Sequence, residues 1–461
     1  MRVLRTAAGL CALALPTACA SAGPGTDSAG GATAAARPHA SDLLAAVSPA
    51  RIRADVDRLT AFGTRHTLSA IEGERGIGAA RKWILARFAQ IAVESGRTGA
   101  DAASLRLEGY VQPAVAPRIP RETGIMNVEC VLPGRSPRRV YLVAHYDSRA
   151  TDPLDATSDA PGANDDGSGV AALLEAARVL APRRFGATIV LLAVAGEEQG
   201  LFGSKHHAAA LRAAGTEVTA VLSDDIVGDP SGPEGASARD AIRVFSEGLP
   251  RAASPEEGKR VGALGGESDS PSRELARYVA EVADLERTRV RPRLVFRPDR
   301  FLRGGDHLSF QEQGFAAVRF TDVFEKYDRQ HQDVREEGGR RFGDVPEFVD
   351  AEYLADVTRL NVAVLAHLAD APAPPRDARI VTAELTTDTT LRWSPSADAD
   401  VAGYEVVWRA TTSAVWEHAR DAGTATQLTL PICKDDWLFG VRAYGREGLR
   451  GLVAFPGAAK E

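Results

Sequence analysis

Two adjacent glutamates, Glu197 and Glu198, follow an apolar run at residues 187–195 after a single glycine, Gly196. Such a run predicts a buried strand, which would deliver both carboxylates to one edge of a sheet. Two buried carboxylates repel each other and are costly to desolvate, unless a cation binds them or one of them keeps a proton. Most Glu-Glu pairs are solvated surface side chains, so the interpretation of this pair depends on the other polar segments of the chain.

Four further segments carry side chains that bind metals, and each lies at or after the end of a predicted strand. In chain order they hold His145 and Asp147 after a strand at 140–144, Asp165 and Asp166 in the glycine-rich turn 162–169, Asp224 and Asp225 after a strand at 219–223, and His331 in the polar loop 327–333. Taken singly, a surface His-x-Asp pair is the commoner explanation for His145. Asp166 is expected to cap the following helix, whereas Asp165 is placed to bridge ions.

Together these segments predict a hydrolytic metal centre. Ligands gather outside the carboxyl ends of strands in open α/β sheets, so all five segments can converge. Two histidines and three carboxylates, with no cysteine, suit a divalent ion such as zinc. One carboxylate is left over as a base, and metal-assisted hydrolysis needs one to take a proton from water.

The elements that must position these residues alternate between strand and helix. Strands are predicted at 140–144, 188–195, 219–223, 241–245 and 316–320, and helices at 76–88, 168–180, 204–214, 272–283 and 351–368. This alternation is typical of an α/β layer with a mostly parallel sheet. Residues 228–272 are rich in Pro, Gly and Ser and predict a surface excursion.

The chain changes character after the proline-rich segment 371–375. Period-two strands are then predicted at 386–393, 403–408, 427–430 and 439–444, which is the spacing of a small all-β sandwich. With Trp393 ending one strand and Tyr404 opening the next, residues 376–458 resemble a fibronectin type III module. No catalytic cluster is found in them, and the expected role is spacing or docking.

Residues 125–370 resemble the co-catalytic di-zinc aminopeptidases, relatives of glutaminyl cyclase and the glutamate carboxypeptidases. The resemblance is carried by the blocks 144–147, 162–169, 196–204 and 304–310. It implies a zinc exopeptidase domain at 41–370, with a mixed, mainly parallel sheet of about eight strands between helices.

The same resemblance implies a role for each site residue. The first zinc would be held by His145 and Asp225, the second by Glu198 and His331, and both by Asp165; Glu197 would be the general base and Asp147 would orient His145. Asp306 and His307 match a block that lines the family's pocket, and a helix N-cap with its neighbour is the alternative. His331-Gln-Asp333 is shorter than the family's usual segment, and Asp224 is a competing candidate for the ligand role of Asp225.

The expected activity is removal of the N-terminal residue from peptides with a free N-terminus. Three alternatives remain open: a glutaminyl-cyclase-like acyltransferase with one zinc, carboxypeptidase or dipeptidase specificity, and a non-catalytic binding scaffold. A net charge of -7 without a basic stripe excludes a nucleic-acid surface. The oligomeric state is left open.

The N-terminus reads as an export signal. Residues 1–20 combine early arginines with a short apolar core, too short to cross a membrane as a helix. Lipidation of Cys19 and plain cleavage among the alanines are equal alternatives, so the protein is expected to be periplasmic, anchored to the cell envelope or secreted. Residues 21–40 predict a flexible tether. Beyond the signal only Cys130 and Cys433 remain, too few for a disulfide framework.

Overall fold

The computed structural model describes residues 39–383 and 386–459. Its centre is an eight-stranded sheet with the strand order β1-β2-β4-β3-β5-β8-β6-β7. The strands are β1 (Ser104–Gln112), β2 (Thr123–Leu132), β3 (Arg139–His145), β4 (Thr188–Val194), β5 (Val218–Asp224), β6 (Ala241–Phe245), β7 (Arg291–Val295) and β8 (Ala317–Thr321). Four central strands, β4, β3, β5 and β8, run parallel to one another. Antiparallel pairs are formed by β1 with β2, β2 with β4, and β6 with β8, whereas β6 and β7 are parallel. The predicted mixed, mainly parallel sheet of eight strands is therefore confirmed.

Helices cover both faces of this sheet. They are α1 (Ser41–Ala46), α2 (Pro49–Thr60), α3 (Ile77–Glu94), α4 (Gly167–Leu180), α5 (Glu197–Gly200), α6 (Phe202–Ala213), α7 (Pro255–Ala263), α8 (Pro271–Leu285), α9 (His307–Glu312) and α10 (Ala351–Asp370). Short 3-10 helices lie at Gly99–Asp101, Pro233–Gly235, Gly266–Ser268 and Pro346–Phe348, and a small hairpin is formed by β9 (Arg335–Glu337) and β10 (Arg340–Phe342).

Period-two alternation along the central strands divides the core into two layers. In β3, Leu142 belongs to the large cluster that also contains α4 and α10, whereas Tyr141 and Val143 belong to a second cluster with α6 and α9. Since both faces are covered, the central strands are apolar throughout, as parallel strands require. This burial fixes the register and hence the positions of the strand ends.

Leu191, fully buried in β4, is expected to contribute strongly to stability. Leu191→Ala should lower the free energy of unfolding by about 2–5 kcal/mol, because the lost methyl groups leave a cavity that the sheet cannot close. Urea denaturation measures this change. Leu107→Ala on the edge strand β1 is the matched control, since Leu107 is 45% exposed, and its cost should stay below about 1 kcal/mol. Equal costs for the two variants would contradict this assignment of the core.

The segment between α2 and α3 is not helical. Residues 61–76 form an irregular loop, in which Gly63 and Gly76 have positive φ angles of 72° and 91°. Arg65 is fully buried in this loop and donates hydrogen bonds to the carbonyl oxygens of Tyr146 and Gly162. The loop is therefore built into the sheet edge where the polar segments lie, which helical periodicity could not show.

The C-terminal part forms two small facing sheets. Their strands are β11 (Arg376–Val381), β12 (Thr389–Ser394), β13 (Val401–Ala410), β14 (His418–Gly423), β15 (Gln427–Leu430), β16 (Trp437–Gly445) and β17 (Gly457–Ala459), ordered β15-β12-β11-β17 and β14-β13-β16. All pairs are antiparallel except β11 with β17. Trp393 and Tyr404 pack in the shared core with their ring centroids 5.8 Å apart.

This C-terminal module is bound to α8 and to the edge where the parallel strands begin. Arg442 donates to both carboxylate oxygens of Glu281 at 2.8 and 2.9 Å, and Trp416 donates to Glu274 at 3.1 Å. Arg138, one residue before β3, lies 3.7 Å from Asp398. His145 ends the same strand, roughly 20 Å away at 3.3 Å per residue. The module therefore lies at the opposite edge of the sheet from the predicted site.

Residues 1–38 lie outside the described part of the chain, and with them Cys19, the predicted signal and most of the predicted tether. The last two tether residues are held in place, because the backbone N–H groups of His39 and Ala40 both donate to Glu286. Among the described helices, none is long and apolar enough to cross a membrane.

Candidate metal centre

The predicted ligands come together as two groups that share one residue. His145, Asp165 and Asp225 form the first group, and Asp165, Glu198 and His331 form the second. Within each group the potential ligand atoms lie within 4.8 Å of one another. We refer to these as the first and second ligand groups.

The parallel strands place these groups by ending at the same edge of the sheet. His145 is the last residue of β3, and Asp225 directly follows β5. Glu198 follows β4 after Gly196, whose φ of 76° turns the chain sharply into α5. His331 arrives from the long loop after β8 with a φ of 55°. Asp165 lies in the turn that opens α4.

Asp165 faces the two groups with different oxygen atoms. Its Oδ1 lies 3.1 Å from His145 Nε2, and its Oδ2 lies 3.0 Å from His331 Nε2. The remaining ligand atoms complete each group, with Asp225 Oδ1 3.8 Å from His145 Nε2 and Glu198 Oε1 3.0 Å from His331 Nε2. A carboxylate between two histidines has the arrangement that a bridging ligand of two cations requires.

Two of these ligand atoms are buried polar atoms without a hydrogen bond. In the part of the chain that the structure describes, neither His145 Nε2 nor Glu198 Oε1 makes a hydrogen bond of normal geometry, although another ligand atom lies 3.1 Å from the first and 3.0 Å from the second. An unsatisfied buried polar atom costs about 1–3 kcal/mol, and more when it is charged. A cation held between the members of each group would satisfy these atoms, so the donor set fits a divalent metal.

The charged side chains of the two ligand groups shift the pKa values of His331, a member of the second group, and of Glu197. Burial would lower the pKa of His331, but Glu198 and Asp165 raise it to about 10. Burial raises the pKa of Glu197 well above its usual range, and Asp225 and Glu198 raise it further. Glu197 therefore holds a proton more tightly than an ordinary glutamate, as expected for a base beside other carboxylates.

Asp147 fixes the backbone that carries both glutamates. Its Oδ1 accepts the N–H of Glu197 and its Oδ2 accepts that of Glu198, both at 3.2 Å, and Thr67 donates to Oδ2 at 2.9 Å. His145 Nδ1 lies 3.2 Å from the backbone oxygen of Asp147 and 3.6 Å from its carboxylate. His145 is thus closer to the backbone carbonyl of Asp147 than to its carboxylate, which was predicted to orient it.

The turn 162–169 separates the roles of its two aspartates. Asp166 caps α4, as expected, by accepting the N–H of Gly169 at 3.0 Å, and it also accepts the N–H of His145. The N–H of Asp165 donates to Asp344 at 2.7 Å. Burial raises the pKa of Asp344 to about 7. Asp344 thus holds the backbone of Asp165, and the Asp165 side chain faces the histidines of both ligand groups.

Asp224 and Asp225 are separated in the same way. Asp224 turns to the other side and accepts a hydrogen bond from Asn361 on α10. Asp225 is the member of the first ligand group. Adjacent strand residues point to opposite faces, so only one of the two can reach the site.

Comparison with known proteins agrees with this geometry. Residues 127–337 match Peptidase family M28. A protein of Leptosphaeria maculans named "Probable zinc metalloprotease" is 46% identical over 418 residues, which is 90% of this chain and 96% of the relative. The chain belongs to peptidase family M28. A Pyricularia oryzae protein with the same name is 46% identical over 427 residues, covering 90% and 84% of the two chains.

Two solved structures show the same fold as this M28 chain. The crystal structure of LapB from Legionella pneumophila has a TM-score of 0.51 and 19% identity, covering 73% of this chain and 78% of LapB. The structure of LapA from the same organism has a TM-score of 0.50 and 21% identity, covering 71% and 75%. At these identities the likeness extends to the fold alone.

Asp306 and His307 differ in their surroundings within the M28 fold. Asp306 directly precedes α9, but its side chain does not cap the helix, and its buried Oδ1 has no hydrogen-bond partner among the described residues. Burial raises the pKa of Asp306 to about 7, although His145 lowers it. His307 is fully buried and its Nε2 lies 2.8 Å from the carbonyl oxygen of Pro298. His307 Nδ1, like Asp306 Oδ1, is buried without a hydrogen-bond partner in the described part of the chain.

Several residues that support the centre were not predicted from the sequence. They are Thr67, Arg319, Gln330 and Asp344, which contact Asp147, Asp225, Asp165 and the backbone of Asp165, respectively. Thr67, Arg319 and Asp344 belong to no local pattern that indicates metal binding, whereas Gln330 lies in the polar loop 327–333 next to His331. Each reaches the site from an element that is distant in sequence, so only tertiary structure could reveal them.

Proposed function

We propose that this chain is a zinc-dependent aminopeptidase that releases N-terminal residues from peptides. The observation that carries the proposal is the pair of ligand groups joined through Asp165. Glu197 precedes Glu198 in the chain, and the carboxylates of Asp225 and Glu198 help to raise its pKa. The name that the fungal relatives carry, "Probable zinc metalloprotease", supports zinc as the metal. Nitrogen and carboxylate donors without sulfur are also suited to zinc.

In this proposal His145, Asp165 and Asp225 hold one zinc ion, and Asp165, Glu198 and His331 hold the other. When bound, the two ions supply Lewis-acid polarisation of the scissile carbonyl and lower the pKa of water. A partly buried carboxylate with a raised pKa is matched to proton transfer near neutral pH. Glu197 has these properties and acts as the general base.

Glu197 accepts a proton from the attacking water and then passes it to the leaving amine of the peptide. Both transfers need the carboxylate to keep one position. The hydrogen bond from Glu197 N–H to Asp147 supplies this constraint, and Thr67 in turn holds Asp147. Asp147 and Thr67 therefore position the base without contacting the peptide.

Recognition of a free N-terminus follows from the excess of carboxylates around the site. A protonated α-amine is a cation, and a buried carboxyl group without a partner is suited to bind it. Asp306 has such a carboxyl, since its Oδ1 is buried and unpartnered within the described residues. We assign Asp306 to the amine and His307 to the wall of the same pocket.

The first test compares peptides that differ only at the N-terminus. Release of the first residue should fall by about 10²-fold or more when the amine is acetylated, because the carboxylates at the amine site are left unpaired. Aminoacyl-p-nitroanilides and the matched N-acetyl compounds measure this ratio. Equal rates for the two would contradict aminopeptidase specificity.

The same panel separates the other candidate activities. Cyclisation of an N-terminal glutaminyl peptide without hydrolysis would indicate a glutaminyl-cyclase-like acyltransferase, and release of C-terminal residues a carboxypeptidase. Cleavage restricted to dipeptides would indicate a dipeptidase. Absence of both bound metal and peptidase activity would indicate a binding scaffold.

We further propose that the protein is exported by the signal at residues 1–20, with lipidation of Cys19 as the anchored form. Mass spectrometry of the mature N-terminus tests this, because a lipidated Cys19 and a free alanine differ in mass. The C-terminal module, which resembles fibronectin type III, is proposed to act in spacing or docking, since it lies at the sheet edge opposite the ligand groups.

A further inference from the structure

Arg319 is a fully buried arginine that contacts one of the proposed metal ligands. It lies on β8, next to β5 in the sheet, and its Nη2 is 3.0 Å from Asp225 Oδ1. Its guanidinium therefore binds the carboxylate that the first ligand group needs. The oxygen involved, Oδ1, is also the one that lies 3.8 Å from His145 Nε2.

The other side of the guanidinium is fixed by the loop before α9. Arg319 Nη1 donates to the carbonyl oxygen of Gly304 at 2.8 Å and lies 3.3 Å from Asp299 Oδ2. A side chain at Gly305 would come within 2.7 Å of Arg319 Nη1 and 3.3 Å of Asp225 Oδ2. This close approach of the loop leaves the guanidinium little freedom to move away from Asp225.

Among the described residues, no arginine or lysine pairs with the carboxylates of the second ligand group, whose histidine neighbours are themselves members of the two groups. Glu198 Oε1 has no hydrogen bond among the described residues, and Arg118 donates to the backbone oxygen of Glu198 rather than to its side chain. Asp165 Oδ2 accepts from the neutral amide of Gln330 at 3.0 Å. The two groups thus share Asp165 but differ at their other carboxylate. Asp225 is paired with an arginine, whereas Glu198 is not.

We propose that Arg319 is a positioning residue that binds Asp225 and makes the first ligand group the weaker of two zinc sites. This inference rests on the proposed function. The guanidinium withdraws electron density from the carboxylate and repels a nearby divalent ion. It also restricts Asp225 to the oxygen that remains free, whereas Glu198 can offer both oxygens to its ion.

Asp299 moderates this effect, because it shares the guanidinium with Asp225. Asp299 is also paired with Arg300, whose Nε lies 2.9 Å from its Oδ1. Loss of the Asp299 charge would leave Arg319 with Asp225 as its remaining carboxylate partner. Arg319 and its second carboxylate partner, Asp299, should therefore affect zinc binding in opposite directions.

The test measures the affinity of each zinc-binding step. Zinc is added to the metal-free full-length protein in competition with a chelator of known affinity. We expect two separable steps in the wild type, with the weaker one absent in His145→Ala and the tighter one absent in His331→Ala. Arg319→Gln should tighten the weaker step by about tenfold or more, the range over which residues that contact metal ligands alter metal affinity. Asp299→Asn should loosen the same step.

Two equal steps in the wild type, or an unchanged or looser weak step in Arg319→Gln, would overturn the inference. Should Arg319→Gln not fold, Asp299→Asn decides alone, and an unchanged or tighter weak step then overturns it. Arg409→Gln is the matched control, since Arg409 is an equally buried arginine paired with Asp269 next to the C-terminal module. It should leave both steps unchanged, and a shift there would assign the effect to lost stability.

The outcome separates the failure of this inference from that of the proposed function. Fewer than two zinc ions bound by the wild type would overturn the two-metal centre and the role of Arg319 with it. Two ions bound, with steps that do not respond to Arg319→Gln, would overturn the role of Arg319 alone. Hydrolysis of an aminoacyl-p-nitroanilide, measured in parallel, reports on the proposed activity independently.

Discussion

Glu197→Gln is expected to lower kcat by about 10²–10⁴-fold, the usual contribution of general acid–base catalysis. Glutamine has nearly the same shape but cannot accept the proton of water. Its backbone N–H can still donate to Asp147, so the chain should keep its local structure. Steady-state hydrolysis of an aminoacyl-p-nitroanilide measures the loss, and elemental analysis should find the wild-type zinc content.

The control for this substitution is Glu197→Asp, which keeps the carboxylate but shortens the side chain by one methylene. Its activity should fall between those of the wild type and Glu197→Gln, because the base is present but displaced. Full activity in Glu197→Gln would show that another group accepts the proton. Loss of zinc from that variant would instead indicate that Glu197 binds metal.

Asp165→Ala is expected to remove both metal sites, because Asp165 is the member common to the two ligand groups. Each group would keep two ligands, fewer than the three protein ligands usual for catalytic zinc. Zinc content should fall from about two ions per chain to well below one, and hydrolysis should fall with it. Elemental analysis after gel filtration measures the change.

Glu198→Ala is the matched comparison, since Glu198 belongs to the second ligand group only. This variant should keep about one zinc ion per chain, held by the first group. Equal zinc content in the two variants would contradict the bridging role of Asp165. Thermal unfolding of both proteins without metal checks that the fold is retained.

The elements of the α/β domain could largely be predicted from local sequence. Central strands are apolar at every position because both sheet faces are covered, and such runs stand out without any alignment of relatives. The strands predicted at 140–144 and 188–195 correspond to β3 and β4. Edge strands were harder, since β1 and β7 are partly exposed and lack this signal.

The convergence of the five residues in the two ligand groups could also be predicted, for a related reason. Four of them, His145, Asp165, Glu198 and Asp225, follow a recognisable strand or open a recognisable helix, and parallel strands bring their carboxyl ends to one edge. Chain order and strand ends thus gave the residues that converge. The loop position of His331 lacked a strand directly before it, and its place in the second ligand group rests on the tertiary fold.

The sequence by itself determined which residue types lie at the sheet edge and which strands and helices carry them. Buried positions must be apolar, so the pattern of burial is visible as hydrophobic periodicity in the sequence. Only the tertiary structure decided which other side chains contact these residues. Arg319 lies on a strand 94 residues after Asp225, and Thr67 lies 80 residues before Asp147. Contacts at such separations arise from packing between elements, and no local pattern in the sequence encodes them.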